Sequence, residues 1–227
     1  MTGSLPDLHV LDDPADRVAD LLVEAARAGQ SIVLTGGSAP GRAYELAAAR
    51  EPDWSTSTVW WGDERCVPPG DDRSNYKLAH ETLLSRLEKQ PRELHRIRGE
   101  LAPDEAAREL DGSLDGVQLD FLLLGLGPDG HCASLFPGSP QLDVTDRRAV
   151  AGPAGLEPFV ERVTMTLPVL QAAKRIVFIV TGDQKADAVA LAFGGEISRK
   201  IPASLTRLSE SVVAVYLDPA ASAKLLP

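Results

Sequence analysis

The sequence has few of the residues on which several specialised classes of protein depend. Only two of its 227 residues are cysteine, Cys66 and Cys132, which are too few for a disulfide scaffold and match no metal-ligand spacing. No apolar run approaches the roughly 20 residues that a membrane-spanning helix needs. Positive charge is also scarce: 23 Lys and Arg residues against 33 Asp and Glu give a net charge of −10. We therefore expect neither nucleic acid nor an anionic membrane as a partner.

The remaining composition is typical of a globular enzyme-sized domain. Hydrophobic residues make up 44% of the chain and charged residues 25%. The first ten residues, MTGSLPDLHV, lack the basic region and the apolar core of a signal peptide. We found no internal repeat, low-complexity tract or linker. The sequence thus predicts a single domain over residues 1–227, located in the cytoplasm.

Apolar residues alternate along the chain between the period of a helix and that of a buried strand. The pattern predicts helices over residues 16–28, 39–50, 74–88 and 183–193, with a surface helix within 98–115. It predicts strands over residues 31–35, 57–61, 119–126, 175–181 and 211–217. Strands that are apolar on both faces and separated by helices predict an α/β fold, with a mostly parallel sheet and helices on both faces.

The loops that follow the strands are the places to look for a site, because open parallel sheets bind ligands at the carboxyl ends of their strands. The first such loop contains Gly36, Gly37 and Ser38 ahead of a helix. Consecutive glycines let backbone N–H groups approach an anion, and the helix N-terminus favours negative charge. A phosphate site is one interpretation, and a tight strand-to-helix turn is the other. The spacing is not that of a dinucleotide-binding G-x-G-x-x-G.

A second loop starts with Asp63, Glu64 and Arg65. The arginine is suited to bidentate binding of a phosphate, and Asp63 to holding a sugar hydroxyl or a cation. A solvated cluster of ion pairs explains the same three residues.

A third loop, in LLLGLGPDGHCASLFPGSP, carries an acid–base pair at the end of an apolar strand. The imidazole of His131 is suited to take a proton from water at neutral pH, and Asp129 to orient it. The alternative is a histidine in a capping or core role. Neighbouring Cys132 points away from His131, and Ser134 lacks the G-x-S-x-G context of a nucleophile. The loop therefore favours attack by activated water over covalent catalysis.

The fourth loop places Lys185 in the first turn of a predicted helix, where a cation opposes the helix dipole. An anion sharing the site would explain that placement, although a surface lysine would also be unremarkable there.

Together these segments resemble the 6-phosphogluconolactonase family, within the larger group that includes glucosamine-6-phosphate deaminases and isomerases. The matching segments are LTGGSAPG, WWGDERCVPPGDDRSNY, LLLGLGPDGHCASLFPGS, RVTMTLPVL and VTGDQKADAV. The resemblance implies a Rossmann-like sheet and hydrolysis of 6-phospho-D-glucono-1,5-lactone without a cofactor or metal. It implies catalytic roles for Asp129 and His131. It implies substrate or phosphate binding by Gly36, Gly37, Ser38, Asp63, Arg65, Arg162 and Lys185.

One position separates the two branches of that group. The deaminase branch resembles D-G-H-x-A-F-N-E-P, in which a glutamate assists ring opening, whereas this chain has Phe136 at the glutamate position. Phenylalanine cannot transfer a proton, so the difference favours the lactonase. The alternatives are an amino-sugar phosphate isomerase or deaminase and a non-catalytic sugar-phosphate-binding protein. We expect a monomer.

Overall fold

The computed structural model describes residues 5–225, whose centre is a seven-stranded parallel sheet. The strands of the chain are β1 (Asp7–Val10), β2 (Ser31–Leu34), β3 (Thr58–Trp61), β4 (Asp63–Arg65), β5 (Glu93–His95), β6 (Phe121–Leu124), β7 (Ala149–Gly152), β8 (Arg162–Met165), β9 (Arg175–Val180) and β10 (Val212–Leu217). The α-helices are α1 (Pro14–Arg27), α2 (Ser38–Arg50), α3 (Asn75–Thr82), α4 (Pro103–Ser113), α5 (Leu167–Gln171) and α6 (Ala186–Val189).

The order of strands across the large sheet is β1-β10-β9-β6-β2-β3-β5, and every neighbouring pair is parallel. From β2 the chain moves outward through β3 to β5, and from β6 it moves outward in the opposite direction through β9 and β10. The direction of winding therefore reverses between β2 and β6. This is the switch point at which open α/β sheets bind their ligands.

The central strands form because their side chains are apolar on both faces. Strands β3 and β6 are buried at every position, including Trp61 and Phe121, and β9 is buried at all but its first residue. Successive side chains of a strand point to opposite faces, so full burial means that both faces of the sheet are covered. The predicted fold class, a mostly parallel α/β sheet with helices, is confirmed.

A second, antiparallel sheet has the order β4-β8-β7, and its strand β4 begins two residues after the end of β3. The apolar pattern of the sequence predicted neither β4 nor β7. Strand β4 consists of three charged residues, and β7 is a four-residue run of mostly small residues, so neither shows the alternation of a strand. The start of the RVTMTLPVL segment, from Arg162 to Met165, forms β8. Edge strand β5 was missed as well; it lies in a polar stretch and pairs with β3, where His95 stacks on Trp60.

Two predicted helices are wrong in their extent. The helix predicted over 74–88 stops at Thr82, whose hydroxyl donates to the Leu78 carbonyl, and only a 3₁₀ turn at Leu84–Arg86 follows. The helix predicted over 183–193 is a 3₁₀ turn (Asp183–Lys185), then α6, then a π-helical turn (Ala190–Gly194). The wide last turn brings Phe193 edge-on against Phe178 of β9. Further 3₁₀ helices span Pro140–Asp143 and Pro202–Leu208.

Within residues 5–225, no helix has the length and apolar character needed to cross a membrane.

A buried tyrosine fixes the end of β2 at the switch point. The Tyr44 hydroxyl of α2 accepts from the Thr35 N–H at 2.8 Å and donates to the Thr35 carbonyl at 2.7 Å. Tyr44 is fully buried, and this burial raises the pKa of its phenol. One side chain therefore satisfies both backbone groups of the residue that enters the glycine loop.

We expect Tyr44→Phe to lower the free energy of unfolding by about 1–3 kcal/mol, because it leaves two buried backbone groups without partners. Urea unfolding monitored by circular dichroism measures the change. Tyr216→Phe is the matched control: its ring is buried in β10, and within residues 5–225 its hydroxyl has no hydrogen bond. Equal losses in the two variants would contradict the role given to Tyr44.

Candidate active site

A cavity of about 320 Å³ opens at the carboxyl ends of β2 and β6. Eight of the nine residues predicted for the site line it: Gly36, Gly37, Ser38, Asp63, Arg65, His131, Arg162 and Lys185. Asp129 lies behind His131 and contacts it without lining the cavity. One space is thus lined by segments far apart in the sequence: the glycine loop, β4, the loop of His131, β8 and the turn that contains Lys185.

The glycine loop forms one wall of this cavity. Gly37 has a φ of +113°, a backbone conformation that favours glycine, and it directly precedes α2. A Cβ at Gly36 would overlap the side-chain amide of Asn75, so only glycine fits there. The wall therefore presents backbone and the N-terminus of a 13-residue helix, an arrangement that favours a bound anion.

The opposite wall carries His131, held by Asp129. The imidazole Nδ1 lies 2.5 Å from Asp129 Oδ1, and the His131 backbone N–H donates to the same oxygen at 3.2 Å. Burial raises the pKa of Asp129, but the hydrogen bond and charge of His131 outweigh it and hold that pKa below its usual value. A neutral imidazole that donates from Nδ1 to this carboxylate has its lone pair on Nε2. The arrangement prepares His131 to accept a proton.

Phe136 packs against this imidazole. The two ring centroids are 4.5 Å apart, and Phe136 is buried and lines the cavity. The deaminase-like motif has a glutamate at this position, whereas this chain has an apolar ring in contact with His131. It shapes the pocket without adding a proton donor.

Two arginines face each other across the small sheet. Arg65 of β4 and Arg162 of β8 are register partners, and the buried Nε of each has no hydrogen-bond partner among the described residues. Arg162 is only 4% exposed and donates from Nη2 to the Pro158 carbonyl at 3.0 Å. Burial, followed by the charge of Arg65, lowers the pKa of Arg162, and Asp63 and Glu64 offset part of this. Two neighbouring cations with unused donors are suited to a multiply charged anion.

Lys185 adds a third cation. It closes a 3₁₀ turn ahead of α6, which differs from the predicted first turn of one long helix. Burial lowers the pKa of its ammonium group, and the Asp129 carboxylate partly opposes this effect. Within residues 5–225 its Nζ makes no hydrogen bond or ion pair. A half-buried ammonium without a partner is costly unless a ligand pairs with it.

Behind the arginines, Glu64 anchors the second loop. Its carboxylate accepts from the Arg65, Asn75 and Tyr76 backbone N–H groups and from Ser74 Oγ. Burial nevertheless raises the pKa of Glu64. Asn75, which opens α3, donates to the Asp63 carbonyl and carboxylate. Asn75 thus ties the start of α3 to β4, and the side chain that caps this helix is Ser74.

Neither Cys132 nor Ser134 is placed to act as a nucleophile. Cys132 is fully buried, and burial raises the pKa of its thiol to about 12. Ser134 lines the cavity, but its hydroxyl donates to Asp63 and makes no contact with His131 Nε2. Other lining residues, among them Glu157 and Gln184, were not predicted. Glu157 lies outside the matching segments, and Gln184 lies in VTGDQKADAV, where only Lys185 was singled out.

Comparison with known proteins identifies the family. Residues 9–215 match the family described as glucosamine-6-phosphate isomerases/6-phosphogluconolactonase. The chain belongs to this family.

Individual relatives are similar over most of their length. A probable 6-phosphogluconolactonase 1 of Arabidopsis thaliana is 36% identical over 216 residues, covering 86% of this chain and 81% of the relative. A 6-phosphogluconolactonase of Streptomyces coelicolor is 34% identical over 222 residues, covering 89% and 84%. The crystal structure of a devB protein superposes with a TM-score of 0.86 at 33% identity, covering 98% of this chain and all of that one.

In this member of the family, the environment of Lys185 leads to a test of anion binding. Because burial lowers its pKa, the folded state binds the lysine proton less tightly than the unfolded state, so the charged group destabilises the fold at neutral pH. We expect Lys185→Met to raise the free energy of unfolding slightly and to weaken binding of inorganic phosphate at least tenfold. Phosphate stabilisation at a fixed concentration then falls by about 1.4 kcal/mol per tenfold loss of affinity.

Urea unfolding with and without phosphate gives both quantities. Lys200→Met, at an exposed lysine outside the cavity, is the control and should leave phosphate stabilisation unchanged. If phosphate stabilised Lys185→Met as much as it stabilises the unmodified chain, Lys185 would not be part of the anion site.

Proposed function

We propose that the protein hydrolyses 6-phospho-D-glucono-1,5-lactone to 6-phospho-D-gluconate, the second step of the oxidative pentose phosphate pathway. One observation carries the proposal. A cavity with three cations and a glycine-lined helix terminus also contains a histidine whose Nδ1 is occupied by Asp129 and whose Nε2 is available. An anion-binding pocket with a prepared base suits a phosphorylated ester, and relatives named 6-phosphogluconolactonase support this substrate.

Binding of the phosphate positions the lactone. Arg65, Lys185 and the Gly36–Ser38 backbone N–H groups hold the phosphate, with Arg162 adding a buried charge beside Arg65. Fixing the charged end of the substrate places its carbonyl over His131. Positioning of this kind converts an encounter with water into a reaction within one complex, which lowers the entropic part of the barrier.

The chemical step needs one base that returns its proton. His131 Nε2 removes a proton from a water molecule as the water oxygen bonds to the lactone carbonyl carbon. When the tetrahedral intermediate collapses, the bond from that carbon to the ring oxygen breaks and His131 delivers the proton to the ring oxygen. Asp129 stabilises the intervening imidazolium through Nδ1. General base catalysis of this type contributes roughly 10²–10⁴-fold to the rate.

Phe136 favours this reaction over the rival chemistry of the family. Aldose–ketose isomerisation and deamination need proton transfers to several substrate atoms, and the side chain packed on His131 has no proton to give. The non-catalytic alternative, a sugar-phosphate-binding protein, does not explain the His131–Asp129 pair.

We propose a single-domain, monomeric, cytoplasmic enzyme that needs no cofactor and has a small sugar-phosphate lactone as its partner rather than nucleic acid or a membrane.

We expect His131→Ala to lower kcat for the lactone by about 10²–10⁴-fold, because it removes the base. Binding of 6-phosphogluconate should persist, because the phosphate contacts remain. The lactone is generated in situ, and acid release above the spontaneous rate is measured; calorimetry measures product binding. His80→Ala, at an exposed histidine on α3, is the control and should leave both unchanged.

Glucosamine 6-phosphate serves as the control substrate in the same experiment. Near-normal lactone turnover by His131→Ala would show that His131 is not the general base. Deamination or isomerisation of glucosamine 6-phosphate by the unmodified chain, without lactone hydrolysis, would contradict the proposed function itself.

A further inference from the structure

Ser134 is an unexpected member of the cavity wall. It is 1% exposed, and its hydroxyl donates to Asp63 Oδ2 at 2.6 Å. The two residues lie 71 positions apart: Ser134 is on the loop that follows β6, and Asp63 is the first residue of β4. This short hydrogen bond to a carboxylate joins the loop of His131 to β4, the strand of Arg65.

The backbone holds Ser134 in place for this contact. Its N–H donates to Thr164 Oγ1 at 3.3 Å, and Thr164 is the register partner of Asp63 across β4 and β8. Ala133, immediately before it, has a φ of +48°, which an alanine adopts only at a local cost. This strained residue lies in the turn between His131 and Ser134. The same turn therefore places the imidazole at the cavity and points the serine hydroxyl at Asp63.

Asp63 is thereby fixed as an acceptor that faces the cavity. It is 5% exposed; Asn75 Nδ2 donates to Oδ1 at 3.1 Å, and Ser134 donates to Oδ2. Among the described residues it forms no ion pair. A carboxylate oxygen can accept two hydrogen bonds and each of these accepts one, so both can accept another from a ligand in the cavity that Asp63 lines. A carboxylate repels a phosphate, and the donor that suits it is a hydroxyl.

We infer that Ser134 is a positioning residue: it holds the Asp63 carboxylate to accept a hydroxyl of the sugar ring and ties that contact to the loop that carries His131. This inference rests on the proposed function. The phosphate is held by other groups, so the loss of Ser134 affects recognition of the sugar and leaves recognition of phosphate intact.

A double-mutant cycle tests this inference. Ser134→Ala should lower kcat/KM for the lactone and the affinity for 6-phosphogluconate about tenfold or more, as expected for the loss of a buried hydrogen bond to a charged group. In an Asp63→Ala background the same substitution should change kcat/KM less than about twofold, because its partner is already absent. Affinity for inorganic phosphate should be unchanged in Ser134→Ala, a result that general damage to the pocket would not give.

Two further serine variants separate positioning from stability. Ser57→Ala removes a buried hydroxyl that bonds to the Trp54 carbonyl at the opposite end of β3, and it should cost stability but not kcat/KM. Ser134→Thr retains the hydroxyl and should keep more activity than Ser134→Ala. If the alanine protein does not fold, Ser134→Cys takes its place in the cycle, because a thiol is a weak hydrogen-bond donor.

Each result decides one point. Equal losses from Ser134→Ala in the unmodified and Asp63→Ala backgrounds, or weakened binding of inorganic phosphate, would overturn the inference. If the unmodified chain does not hydrolyse the lactone, the proposed function fails instead, and the cycle on 6-phosphogluconate binding still tests the Ser134–Asp63 contact.

Discussion

The reversal of winding between β2 and β6 is the constraint on which the site depends. Because every strand of the large sheet is parallel, the carboxyl ends of β2, β3, β6 and β9 all lie at one edge, and the loops that follow them meet there. The reversal opens the gap between the glycine loop and the His131 loop. The glycine loop and the loop of His131 both start at that edge, so the backbone proposed to bind an anion lies on one side of the gap and the proposed base on the other.

Electrostatics sets the second requirement. The chain has a net charge of −10, so a site for a phosphorylated substrate needs concentrated positive charge against an unfavourable overall field. Arg65, Arg162 and Lys185 are the cations that we propose for this role, and burial lowers the pKa of Arg162 and that of Lys185. Part of the cationic charge at the cavity is thus held in an unfavourable environment, and the phosphate that we propose to bind there would relieve that cost.

The parts of the fold that could be predicted were those with a strong local pattern. Strands such as β6 and β9 are continuous apolar runs, and the polar residues directly after them fall at the site because parallel strands end at one edge. The small antiparallel sheet could not be predicted, because β4 is three charged residues whose strand form depends on pairing with β8. The hydrogen bond between Ser134 and Asp63 could not be predicted either, because no local sequence pattern links residues 71 positions apart.

The most direct test of the account is a crystal structure of the protein with 6-phosphogluconate bound. The account predicts the phosphate among Arg65, Lys185 and the Gly36–Ser38 backbone N–H groups, with the product carboxylate within hydrogen-bond distance of His131 Nε2. A product bound in the reverse orientation, with its phosphate against His131, or a product bound outside this cavity, would contradict it.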